Sequence, residues 1–123
     1  MNKPTFYITG ATCDIGQSII NKLCLNKSKI IALVRDIKRA KIIFKNKKIV
    51  YQKFDLNKPL EKFNIKPGSI LVHCAWENPR DINSTKHIKS VIPQHYQFIE
   101  KMIKRGIAKV VVTGTCSEFG MTY

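Results

Sequence analysis

The sequence lacks long apolar runs, linker-like segments and internal repeats, and each absence excludes a class of protein. No stretch approaches the roughly 18–20 consecutive apolar residues that cross a bilayer. The N-terminus leads directly into a strand-like segment, without the apolar region and cleavage site of a secretion signal. We therefore expect a cytoplasmic protein with no membrane partner. Without a Gly-, Ser- or Pro-rich linker, the 123 residues predict one domain.

The four cysteines form no C-x-x-C motif. In a cytosolic chain such cysteines are expected to be reduced thiols rather than disulfides. His73 and Cys74 are adjacent, and in a strand their side chains would point to opposite faces. No metal site is therefore predicted.

The net charge of +14 would suit a protein that binds nucleic acid. However, only four of the 22 basic residues are arginine, the residue that binds phosphates in a bidentate manner. The lysines are spread over nearly every segment, with one short cluster at Lys45, Lys47 and Lys48. A basic surface in contact with water is the preferred interpretation, and nucleic acid is not an expected partner.

Short apolar segments alternate with segments of helical periodicity along the chain. Strands are predicted over 5–9, 29–34, 49–54, 70–74 and 109–113, and helices over 15–25, 36–44 and from Pro93 to Gly106. A helical turn is predicted over 59–63 and a tight turn over 66–69, whereas 77–91 is polar and irregular. This alternation predicts an α/β fold, a Rossmann-type doubly wound parallel sheet that binds ligands beyond the carboxyl ends of its strands.

Two predictions concern the interior of this fold. In the last helix Tyr96, Ile99 and Ile103 recur at helical spacing, with Phe98 and Met102 beside them, and packing on the sheet explains this stripe. His73 lies within an apolar strand and is predicted to be a core residue.

The strongest functional motif is the glycine-rich turn between the first strand and the first helix. Glycines let the backbone approach a pyrophosphate, and the helix N-terminus offers free N–H groups. Cys13, a small residue, stands where a third glycine is expected. The motif predicts cofactor binding by Gly10, Ala11, Thr12, Cys13, Asp14, Ile15 and Gly16. An ordinary tight turn is the simpler alternative.

The ends of the second and third strands carry residues suited to an adenosine. An acidic residue after the second strand would accept the ribose hydroxyls of NAD, whereas an arginine would pair with the 2′-phosphate of NADP. Arg35 precedes Asp36, which favours NADP. Asp55 could accept a hydrogen bond from the adenine amino group while Leu56 packs on the ring, although Asp55 would equally suit a turn or cap.

The fourth strand ends in the run His73, Cys74, Ala75 and Trp76. The small Ala75 would let the backbone pass close to a cofactor. Trp76 would either flank the nicotinamide half of that cofactor or cover the end of the sheet, and both interpretations stay open.

Taken together, these motifs resemble the extended short-chain dehydrogenase/reductase family, specifically its NAD-dependent epimerase/dehydratase group. The run from Val112 to Gly120 is similar to the stretch after the fifth strand of that family, where a Ser or Thr precedes a Tyr/Phe-Gly pair. By that register Thr115 is the implied catalytic residue, and Ser117 is the alternative. In the family this hydroxyl hydrogen-bonds the substrate oxygen during hydride transfer.

The resemblance implies the N-terminal, nucleotide-binding part of an epimerase, dehydratase or reductase that uses NADP or NAD on a nucleotide sugar, as in polysaccharide biosynthesis. It also implies a homodimer through helices near residues 93–105. The Tyr-x-x-x-Lys pair that serves the family as general acid/base does not occur, and Tyr123 is the last residue. We therefore expect an inactive fragment without its substrate domain, whose sheet is incomplete after the fifth strand and exposes apolar surface. The alternatives are a non-catalytic dinucleotide sensor or interaction protein and, less favoured, a basic nucleic-acid binder.

Overall fold

Five strands form one parallel sheet in the computed structural model, which describes residues 3–45, 47–60, 63–77, 81 and 83–114. The strands are β1 (Thr5–Thr9), β2 (Lys29–Val34), β3 (Val50–Lys53), β4 (Ser69–His73) and β5 (Ile107–Val112). Their order across the sheet is β3-β2-β1-β4-β5, and each neighbouring pair is parallel. The predicted α/β Rossmann-type architecture is confirmed, with strand bounds within two residues of those predicted.

Three α-helices of the described part of the chain cover the two faces of the sheet: α1 (Asp14–Leu25), α2 (Ile37–Ile43) and α3 (Ile92–Lys104). Successive residues of a strand point to opposite faces, as Tyr7 and Ile8 do in β1. Ile8 belongs to a core cluster with Ile20 of α1 and Ala40 of α2. Tyr7 belongs to a second cluster with Phe98 of α3. The inner strands β2, β1 and β4 are therefore buried on both faces, which explains their nearly continuous apolar sequences. Val111 and Val112 of the edge strand β5 are instead 48% and 54% exposed.

The order of the strands creates a crevice between β1 and β4. From β1 the chain moves outward to β2 and β3, then returns to the other side of β1 to form β4. Thr9 and His73, the last residues of β1 and β4, are paired in register, so the two strands end at the same level. Such a switch point is where doubly wound sheets bind their ligands.

The connection from β3 to β4 differs from the prediction. Pro59, Leu60 and Phe63 are not helical, and residues 61–62 of the predicted helical turn lie outside the described residues. The predicted tight turn at 66–69 is confirmed, with the amide of Ser69 bonded to the carbonyl of Lys66 at 3.2 Å.

A π-type helical turn, His87–Val91, leads directly into α3 and was not predicted from its polar sequence. Pro93 lies in the first turn of α3, as expected. Because the chain is already helical before Pro93, the proline ring would meet a carbonyl one turn earlier in a regular α-helix. The wider π-type turn is a recognised way of accommodating such an interruption.

The predicted apolar stripe of α3 is wrong in its orientation. The helix buries His95, Phe98 and Met102, and Ile99 is only partly buried, although it packs on the same cluster. Tyr96 is 69% exposed and Ile103 is 51% exposed. A hydropathy pattern counts histidine as polar, so it misses the buried row that contains His95.

Among the described helices none is long and apolar enough to span a membrane.

Candidate functional site

A cleft of about 630 Å³ opens at the carboxyl ends of β1, β2, β3 and β4. Four short segments, one after each strand, form its walls. The lining residues are Gly10, Ala11, Thr12, Cys13, Asp14, Ile15, Leu33, Val34, Arg35, Phe54, Asp55, Leu56, Asn57, Cys74, Ala75, Trp76 and Glu77. An elongated ligand could therefore contact four strand ends at once.

Gly10 allows the turn after β1 to pack directly against the chain that leaves β4. Its φ of 62° lies in the left-handed region. A Cβ at this position would meet the backbone nitrogen of Ala75 and the carbonyl carbon of Cys74, both at 2.7 Å. No larger residue fits here without moving the backbone of the crevice.

Gly16 and Cys13 shape the start of α1. A Cβ on Gly16 would lie 2.1 Å from the carbonyl oxygen of Gly10, so the helix can approach the turn only because this residue is glycine. Cys13 is the N-cap of α1, and its Sγ accepts a hydrogen bond from the amide of Gly16 at 3.3 Å. The cysteine therefore replaces the expected glycine without opening the turn, and it performs the capping role usually given to Ser or Asp.

The first turn of α1 faces the cleft through Asp14 and Ile15. The amides of a first helical turn have no partner inside the helix, and the helix dipole adds positive potential there. These groups favour an anion. Asp14 places a carboxylate at the same end of the helix, which stabilises the free helix and would oppose a phosphate that approached closely.

Arg35 and Asp36 take different roles in the structure. Arg35 lines the cleft, whereas Asp36 is not among the lining residues. Oδ1 of Asp36 instead accepts the amide of Arg39 at 3.0 Å and caps α2. The ammonium of Lys53 donates to the carbonyl oxygen of Arg35, which brings a second cation to this end of the cleft.

Phe54, Asp55, Leu56 and Asn57 form the wall after β3. Oδ1 of Asp55 accepts the amide of Asn57 at 3.0 Å, as in an Asx turn. One carboxylate oxygen of Asp55 is thus held by the turn, and the other has no hydrogen-bond partner among the described residues. Leu56 lies beside it and provides an apolar surface.

Beneath the cleft lies a buried chain of hydrogen bonds through Thr9, His73 and His95. The Thr9 hydroxyl accepts the amide of Ala75 at 3.3 Å and lies 2.6 Å from Nδ1 of His73. Nε2 of His73 lies 2.5 Å from Nδ1 of His95. The prediction that His73 is a core residue is confirmed, since it is 2% exposed. Its ring is also the link between the strand end at Ala75 and helix α3.

Both histidines of this pair resist protonation. Burial, followed by the neighbouring His95, lowers the pKa of His73 to about 4. Burial also lowers the pKa of His95, and Glu77 opposes that shift. The pair is therefore neutral near pH 7, with one proton between the two rings.

Trp76 forms the outer wall of the cleft after β4 and keeps 45% of its surface exposed. Its ring lies 4.7 Å from that of His95 and 5.9 Å from that of His87, measured between centroids. Its Nε1–H donates to Nδ1 of His87 at 3.3 Å. Nε2 of His87 lies 2.5 Å from the carbonyl oxygen of Asp81.

The cleft brings together twelve of the fifteen site residues that the sequence predicts. Gly16 and Asp36 do not line the cleft: Gly16 packs against the carbonyl of Gly10, and Asp36 caps α2. Thr115, like the alternative Ser117, lies outside the described residues. Sequence reasoning missed Leu33, Val34, Phe54, Asn57 and Glu77, although all five lie within two residues of a predicted site residue.

The thiols and imidazoles of the described residues form no metal site, since no group of three or more His, Cys, Asp or Glu side chains converges there. Cys13, Cys24 and Cys74 are free thiols. Burial and the neighbouring Cys13 raise the pKa of Cys74, while a hydrogen bond with Thr113 opposes the rise. Cys74 packs against the core cluster beneath α1, and His73 contacts α3, so the two point to opposite faces as expected.

Comparison with known proteins finds the same architecture among solved structures only. No protein-family model and no curated protein matches the chain. Among solved structures it is similar to Gre2 from Candida albicans, with a TM-score of 0.64 and 21% identity over 91% of this chain and 36% of that chain. The complex of the same protein with NADPH gives a TM-score of 0.64 and 20% identity over 91% and 37%. At this level of identity the likeness shows the fold alone, a Rossmann-like α/β sheet that spans little more than a third of the length of Gre2.

Proposed function

We propose that this chain is the nucleotide-binding part of an NAD(P)-dependent enzyme of the extended short-chain dehydrogenase/reductase type. The observation that carries the proposal is the packing of the glycine turn against the chain after β4, where a Cβ on Gly10 would lie 2.7 Å from two backbone atoms. This packing, together with the free amides of α1, suits a pyrophosphate at the centre of the cleft. The fold is one that binds NADPH in Gre2.

We place the adenosine at the β2 and β3 side of the cleft and the nicotinamide at the β4 side. Asp55 and Leu56 would bind the adenine edge and face, and Arg35 would pair with a 2′-phosphate. NADP is preferred over NAD because Arg35 faces the cleft with Lys53 behind it, whereas Asp36 is engaged at the N-cap of α2. Asp36 stays a predicted ribose contact through its second carboxylate oxygen.

The substrate and reaction are proposed from the resemblance of the motifs. The complete protein would bind a nucleotide sugar and transfer a hydride between its sugar and the cofactor, with Thr115 polarising the sugar oxygen. Epimerase, dehydratase and reductase are all compatible with this part of the site. A cytoplasmic location is a prediction that fits this chemistry.

A titration with NADPH and NADH tests the proposal. We expect NADPH to bind about tenfold more tightly, the equivalent of one charge-assisted contact. Arg35→Ala should remove this preference and leave the Kd of NADH within about twofold, whereas Arg39→Ala, on the exposed surface of α2, serves as the matched control. A wild-type protein that binds neither nucleotide contradicts the proposal.

The same titration separates the alternatives. A dinucleotide sensor would bind NADPH and show no turnover with any nucleotide sugar in the complete protein. A nucleic-acid binder would show salt-sensitive affinity for DNA or RNA that NADPH does not displace.

A further inference from the structure

The sequence contains three histidines and one tryptophan, and all four lie in one cluster. They come from β4, the segment after it, the π-type turn and α3. His73 contacts His95, His95 contacts Trp76, and Trp76 contacts His87, with ring centroids 4.7, 4.7 and 5.9 Å apart. The cluster lies at the β4 side of the cleft, and the proposed adenosine site lies at the β2 and β3 side.

Two hydrogen bonds of His87 hold the indole of Trp76 at its N–H group. An indole nitrogen is only a donor, so Nδ1 of His87 must accept its hydrogen. A carbonyl oxygen is only an acceptor, so Nε2 of His87 must donate to Asp81. A single neutral tautomer of His87 satisfies both bonds. The π-type turn thereby holds Trp76 in one orientation.

The buried pair fixes the other side of the indole. The ring of His95 is held by His73, which in turn is held by the Thr9 hydroxyl in β1. The same hydroxyl accepts the amide of Ala75, the residue before Trp76. Backbone and side chain at this point of the cleft are thus tied to one network.

We propose that His73, His87 and His95 are positioning residues that hold Trp76 as a rigid wall for the nicotinamide ring, which makes Trp76 a specificity-determining residue. The inference rests on the proposed function, because the nicotinamide is placed here by the adenosine and pyrophosphate sites on the other strands. Trp76 keeps nearly half of its surface exposed, which leaves apolar indole surface for a flat ring.

Paired ligands and paired variants test the proposal. NADPH carries the nicotinamide, whereas adenosine 2′,5′-bisphosphate has the same adenosine end without it. Trp76→Ala should raise the Kd of NADPH about tenfold and leave that of adenosine 2′,5′-bisphosphate within about twofold. Trp76→Phe, which keeps an aromatic ring, should retain most of the NADPH affinity.

The role of the histidines has its own spectroscopic readout, because Trp76 is the only tryptophan. In the protein without ligand, His87→Leu should shift the tryptophan emission to longer wavelength, increase its quenching by acrylamide and raise the Kd of NADPH about fivefold. His87→Gln should restore all three values, since its amide can accept from the indole and donate to the Asp81 carbonyl.

The outcomes separate this inference from the function on which it rests. A wild-type protein that binds neither ligand overturns both. If the wild type binds both ligands, the inference alone fails when Trp76→Ala weakens the two equally or weakens neither. It also fails when His87→Leu leaves tryptophan quenching and NADPH affinity unchanged.

Discussion

His73 and His95 share one proton across a distance of 2.5 Å between Nε2 and Nδ1, inside the interface between β4 and α3. Both rings are almost fully buried, and Nε2 of His95 has no hydrogen-bond partner among the described residues. A second proton would place a positive charge in this interface without a compensating partner. The pair should therefore make the stability of the protein sensitive to acid.

The first prediction is a loss of stability between pH 6.5 and pH 4. The unfolded chain takes up a proton on His73 near its ordinary pKa of about 6.5, whereas the folded chain does so only near a pKa of about 4. The free energy of unfolding should thus be highest above pH 6.5 and fall by about 3 kcal/mol as the pH drops through this window. Urea unfolding at several pH values measures the fall.

The variant His73→Asn provides the control for this experiment. It should be less stable than the wild type at pH 7 and lose clearly less stability between pH 6.5 and pH 4, because the group responsible for most of the slope is gone. An equal slope in the two proteins would show that other groups cause the acid sensitivity.

The second prediction concerns the glycine at the start of α1. In Gly16→Ala the new methyl group would lie 2.1 Å from the carbonyl oxygen of Gly10, and only a backbone shift can relieve the clash. We expect a loss of more than about 2 kcal/mol in unfolding free energy and no measurable NADPH binding. Gly68→Ala is the matched control, because open space surrounds Gly68 and only its φ of 80° opposes the change.

Gly68→Ala should cost about 1 kcal/mol, the strain of a left-handed alanine, and bind NADPH like the wild type. Denaturant unfolding and NADPH titration of both variants give the comparison. Equal losses of unfolding free energy in the two variants would mean that α1 does not pack tightly against the turn at Gly10.

The third prediction uses Cys13 as a chemical probe of the cleft. Cys13 is exposed and lies in the turn that would hold the pyrophosphate. NADPH should slow its alkylation by iodoacetamide about tenfold or more, in proportion to the occupied fraction of the site. Cys24, on the sheet-facing side of α1, is the internal control and should react at the same rate with and without NADPH. Peptide mass spectrometry follows both thiols, and equal protection or no protection would contradict the prediction.

The fourth prediction concerns the outer face of α3. The outer face of α3 continues the π-type turn: Ile88 of the turn and Ile92 and Tyr96 of the helix are spaced four residues apart and are 75%, 50% and 69% exposed. The sheet does not cover this apolar row, and we propose that it forms the homodimer interface that the family resemblance implies. Tyr96→Glu should shift the sedimentation coefficient to that of a monomer, whereas Gln97→Glu, an equal change of charge on the same helix, should not. A wild-type protein that sediments as a monomer would refute the homodimer.

Much of the fold follows directly from the sequence because burial on both faces leaves a simple pattern. β2 is apolar over almost its whole length, and a glycine follows both β1 (Gly10) and α3 (Gly106). The ends of parallel strands meet at one edge, so residues that follow predicted strands converge. Arg35, Asp55 and Ala75 each follow a different strand, and all three line one cleft.

Other features depend on contacts that no local pattern contains. The face that α3 buries contains His95, which pairs with His73, 22 residues away, whereas hydropathy assigns a histidine to the surface. Asp36 is a predicted ribose contact because it follows β2, whereas its role as the N-cap of α2 depends on where that helix begins. In the π-type turn His87 bonds to Trp76 and Asp81 rather than packing in the core, so its helical conformation leaves no hydrophobic pattern at this position.

The central claim, that the crevice between β1 and β4 binds a nicotinamide dinucleotide, is tested most directly by a ¹⁵N–¹H NMR titration of the protein with NADPH. Binding in this crevice should give saturable shifts of the amides from Gly10 to Gly16 and of Ala75. The amides of Gly68 and Gly106, at the opposite ends of the strands, should stay unchanged. Saturable shifts confined to other surfaces, or no shifts at all, would contradict it.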